Sequence, residues 1–93
     1  MDFKNIENLE NTIDLMLSDD YINRLKAEYI QTKIRYKKLR KYNTSVQRDY
    51  ILGRDVDESV RRTHELYVDQ AKIMRNYLDV LELRIAIALE NQN

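Results

Sequence analysis

The chain has 93 residues, 43% apolar and 34% charged, with a formal charge of zero from equal numbers of basic and acidic side chains. It has no cysteine, no proline, one glycine and one histidine. That excludes a disulfide, a thiolate metal site, a glycine-rich phosphate loop and a multi-histidine metal centre within one copy. No apolar run approaches the roughly 20 residues that span a bilayer, and the polar, acidic N-terminus does not read as a signal peptide. The expectation is one soluble, intracellular, all-α domain over residues 1–93, near the size where a single core is marginal and assembly adds stability.

The periodicity predicts a first helix over about 3–17, with Ile6, Leu9, Ile13 and Met16 or Leu17 on one face. Ser18 offers an N-cap for the next helix, with Asp19 and Asp20 suited to the positive end of its dipole. The second helix is expected over about 19–43, with Tyr21, Ile22, Leu25, Tyr29, Thr32, Tyr36 and Leu39 on one stripe. Ala27, Ile30 and Ile34 form a smaller apolar patch on another side, and Asn43-Thr44-Ser45 reads as the helix end. Residues 44–57 read as a packed loop, holding Val46, Tyr50, Ile51, Leu52 and Val56. Asp55 and Glu58 resemble a capping box for a last helix over about 57–90.

That last helix carries two apolar seams. Val60, His64, Tyr67, Ala71, Met74, Leu78, Leu81, Ile85 and Ala88 follow an alternating four-three spacing, which draws one stripe. Leu66, Ile73, Val80 and Ile87 recur every seven residues on a second line, roughly 130° around the same helix. Docking on one neighbour needs only one stripe. The predicted fold is therefore all-α: an antiparallel hairpin of two long helices with a short N-terminal helix, assembled as a homo-oligomer. The second patch on the middle helix points the same way.

Charge is segregated. Residues 1–20 hold six acidic side chains against Lys4, while 21–43 hold eight basic ones against Glu28 alone. Such a helix can bind a polyanion, or pair with acidic segments of its own or adjacent subunits. No catalytic constellation is present. His64-Glu65 begins like a zinc-protease helix, but Val68 holds the place of the second histidine, so His64 reads as a packed seam residue. Asp55 and Asp57 read as cap and turn residues. No enzyme is expected, and neither cofactor nor metal.

Binding chemistry is better represented. Four of the seven tyrosines (Tyr21, Tyr29, Tyr36, Tyr42) lie on the basic second helix among Arg24, Lys33, Lys37, Arg40 and Lys41. A phenol ring gives a nucleobase a face to stack on, and a lysine or arginine gives charge to a phosphate. Tyrosines at four-three spacing also serve simply as seam residues with wet hydroxyls.

The run Ser18-Asp19-Asp20-Tyr21, Arg24, Ala27-Glu28-Tyr29, Gln31, Lys33, Arg35-Tyr36 and Lys38-Leu39, with Gln70, Met74, Tyr77, Leu81 and Arg84 in the last helix, resembles a group of small bacteriophage helical-hairpin proteins. The likeness covers about residues 16–85, and the middle loop departs from the group's usual form. This group is similar in size and layout to the phage anti-CBASS sponge proteins. The resemblance implies a hexamer that sequesters cyclic oligonucleotide immune signals without cleaving them, acting in the host cytoplasm. On that reading Tyr29 and Tyr36 stack bases while Arg24, Lys33, Lys37 and Arg40 contact phosphates. A cyclic ADP-ribose-type signal, as made in Thoeris immunity, satisfies the same chemistry. The competing expectation is a structural or adaptor oligomer with no small ligand. A long nucleic acid suits the eight basic residues less well, because net charge is zero and six acidic side chains lie close by.

Overall fold

The computed structural model describes residues 6–92. Asn8 starts the first element by accepting the Glu10 backbone N–H on its side chain at 3.0 Å. A 3₁₀ turn, Leu9–Thr12, runs into α1, Ile13–Met16. The helix expected from residue 3 is thus a turn and a single helical turn from residue 9, and residues 3–5 of that expectation lie outside the described residues. Thr12 is buried and explains the tight start. Its hydroxyl donates to the Leu9 carbonyl at 2.6 Å and accepts from Gln31 Nε2 at 3.0 Å, tying the segment to the next helix.

Helix α2 spans Tyr21–Ile51. Its cap is Asp20, whose carboxylate accepts the Ile22 N–H at 3.0 Å; Ser18 instead accepts the Asp20 N–H one step earlier. The expected end at Asn43-Thr44-Ser45 is also corrected, since the helix runs eight residues further. Polar residues with weak helix preference do not end a helix whose flanking positions pack on a neighbour. Asn43 is held there by donating its amide to the Tyr67 carbonyl at 3.1 Å, and Val46 is buried. The true stop is Gly53, at φ 68°. Its N–H bonds the Tyr50 carbonyl at 3.1 Å and the Arg54 N–H bonds that of Asp49 at 2.9 Å, a Schellman closure that needs a left-handed residue. The loop is accordingly short.

Helix α3 spans Glu58–Asn91, capped by Asp57 through the Ser59 N–H at 3.4 Å, so Asp57 rather than Asp55 opens it. Contacts fix its direction. Tyr50 meets His64, Tyr42 meets Tyr67, Glu28 meets Tyr77 and Tyr21 meets Arg84, so numbers rise on α2 as they fall on α3. The hairpin is antiparallel and 55 Å long.

Its core lies in the half nearer the chain ends. Leu25, Tyr29, Ile30 and Ile34 of α2 close on Leu78, Leu81 and Ile85 of α3, with Ile6, Leu15 and Tyr36 against the cluster. The Ala27-Ile30-Ile34 patch is buried within one copy, where the N-terminal segment reaches the core through Ile6 and Leu15. It therefore lends no support to assembly, contrary to the expectation. The second seam of α3 behaves differently: Leu66, Ile73, Val80 and Ile87 stand 50–67% exposed, joined by Leu83 at 64%.

Candidate ligand groove between the long helices

The six residues expected at a ligand site do not come together. Arg24 donates to the Ser18 carbonyl at 2.8 Å and is taken up in closing the α1–α2 turn. Tyr29 is only 6% exposed and belongs to the core, with the Lys33 ammonium 5.8 Å from its ring centre. Lys33 and Lys37 line a cleft of about 290 Å³ with Lys38, Ile34, Ile6 and Glu7, under the N-terminal segment. Tyr36 and Arg40 face elsewhere, into a groove between α2 and α3. Sixteen residues of helix separate Arg24 from Arg40, about 24 Å along the axis at 1.5 Å per residue.

That groove has a volume of about 550 Å³, within the usual range for small-molecule sites. Tyr36, Arg40, Asn43, Thr44 and Gln47 supply the α2 wall; Val68, Ala71, Lys72, Arg75 and Asn76 supply the α3 wall. Tyr36 packs its ring against the core, which holds it in one place. Interaction with the neighbouring Tyr36 phenol, by hydrogen bonding and then by charge, and with the Asp79 carboxylate raises Arg75 above its ordinary pKa. The site thus offers one anchored aromatic ring, three cations from two helices and several amides that can read a base edge. An anionic, base-bearing ligand matches each of these.

Lys72, Arg75, Asn76, Asn43 and Gln47 also line this groove and are not among the six residues expected from the sequence. A signal existed, because Tyr36, Arg40, Asn43 and Gln47 follow four-three-four spacing and Lys72, Arg75 and Asn76 sit beside the main α3 seam. A polar line next to an apolar one looks like ordinary solvated surface until the facing helix is known.

A second groove of about 550 Å³ lies between Arg35, Lys38, Leu39 and Tyr42 of α2 and Tyr67, Gln70 and Met74 of α3. Its two rings, Tyr42 and Tyr67, already meet edge to face at 5.8 Å. Elsewhere, the Tyr77 hydroxyl donates to the Glu28 carboxylate. That bond, with a smaller desolvation effect, raises the Tyr77 pKa. His64 is half-buried beside Tyr50, with a ring-centre distance of 5.7 Å. Among the described residues, no group of three or more imidazole or carboxylate side chains is placed to hold a metal, and no helix is long and apolar enough to cross a membrane.

The described residues thus form an antiparallel two-helix hairpin with a cationic groove that holds one aromatic ring, Tyr36. Residues 19–87, about three quarters of the chain, match the family model described as Sequestin, and the chain belongs to that family. Membership of that family points to a binding, sequestering role. No curated protein and no solved structure matches it.

Proposed function

We propose that this protein, encoded by a phage, binds a cyclic nucleotide immune messenger in the cytoplasm of the infected bacterium and withholds it without cleaving it. The observation that carries the reading is the groove in which anchored Tyr36 stands beside Arg75, with Arg40 and Lys72 on the same walls. Tyr36 supplies the stacking face, the three cations take the phosphodiesters, and Asn43, Gln47 and Asn76 face the base edges. A cyclic dinucleotide, a cyclic trinucleotide and a cyclic ADP-ribose derivative all present this combination. Copies of the chain assemble, a hexamer being the form that the resemblance implies.

Calorimetry of the purified protein against those three ligand classes tests the reading. Tight binding, with ligand recovered intact after denaturation, supports it and names the signal. No heat from a well-folded assembly overturns it in favour of the adaptor, whose supporting observation is the uncovered α3 seam. Arg75→Ala should weaken binding at least about tenfold, the scale of a charge-assisted hydrogen bond. Lys37→Ala, outside the groove, should leave binding unchanged. The reverse result would move the site to the lysine cleft.

A further inference from the structure

The exposed line on α3 runs from Leu66 to Ile87, about 31 Å at 1.5 Å per residue, and lies roughly 130° around the helix from the stripe that packs on α2. Seven-residue spacing is the repeat by which one helix packs against another with matched register. We infer that this line is the contact with a second copy, and that the two α3 helices pair antiparallel about a twofold axis between residues 76 and 77. The inference rests on the reading that copies assemble, and adds the surface and its direction.

In this register Leu66 faces the second copy's Ile87 and Ile73 faces its Val80, so every large apolar side chain on the line meets another. Charge selects the direction. Arg62 and Glu90 lie on the same flank of the line, at opposite ends of the helix. Antiparallel pairing sets the Arg62 of each copy against the Glu90 of the other, which parallel pairing cannot do. Arg62 is free to make this exchange: its present partner, Glu58 one turn away at 3.6 Å, forms an ion pair with both side chains nearly four-fifths exposed, the kind that contributes little. Asn76, on that same flank beside the axis, meets its own counterpart, and two amides can each donate to the other.

The chain has no cysteine, so single-cysteine variants report the geometry directly. In oxidative crosslinking of the full chain, Asn76→Cys should join to itself. Leu66→Cys should not, because its two copies lie about 31 Å apart, but should join to Ile87→Cys in a mixture. Light scattering and circular dichroism confirm that each variant remains a folded assembly. Self-crosslinking of Leu66→Cys, or no crosslink at any of the three positions in an intact assembly, overturns the pairing. A wild-type protein that is monomeric at all concentrations overturns the assembly reading itself.

Discussion

Tyr29 and Tyr36 sit two turns apart on one stripe, yet one is core and the other forms a wall of the groove. Tyr29→Ala removes a buried ring and should lower stability by about 3–5 kcal/mol, as for other large aromatics cut to alanine. Urea denaturation reads this directly. Tyr36→Ala should cost less stability and reduce ligand affinity more than tenfold. Equal stability losses would mean that Tyr36 is simply a second core ring. Tyr77 makes a different kind of test. Its pKa is raised in the folded protein by the bond to Glu28, so the contribution is complete below the unfolded phenol's pKa of about 10. It is lost as pH climbs through the folded value. The folded protein therefore loses stability at alkaline pH, and Tyr77→Phe should flatten that decline by a small amount, since the ring is 38% exposed.

At the level of helices, the caps show what sequence can and cannot reveal. The sequence offers Ser18 as the cap of α2 and the Asp55–Glu58 pair as a capping box for α3, and only geometry picks Asp20 and Asp57. Asp20→Ala should cost about 1 kcal/mol and Ser18→Ala less, measurable by thermal melts. The hairpin, its direction and the main seam were legible because apolar periodicity survives any small shift in helix ends. The far limit of α2 was not, because Asn43 is a helix breaker by preference and a helix member by virtue of the Tyr67 carbonyl across the interface. The groove was half legible for the same reason. Tyr36 and Arg40 stood out on the basic helix, whereas Lys72 and Arg75 gain meaning only when α3 folds back to face them. Leu81→Ala, at the fully buried centre of the seam, should cost about 2–5 kcal/mol and lower the cooperativity of the whole hairpin.

For the whole molecule, zero net charge and a narrow cationic groove set the expected salt response. A ligand with two or three phosphates should bind with a shallow dependence on salt, where a long nucleic acid would show a steep one. Ile73→Glu and Val80→Glu place a charge in the uncovered line of α3 and should dissociate the assembly while leaving helicity intact. An unchanged mass by light scattering would remove that line from the interface. Asn76 lies on the groove wall and also beside that line. On the proposed function and pairing, a messenger in the groove and a copy on the seam would share this residue, and any free energy one gained or lost through it the other would too, by thermodynamic reciprocity. The signal retained per molecule would then vary with the concentration of the protein, in the direction set by the sign of that coupling.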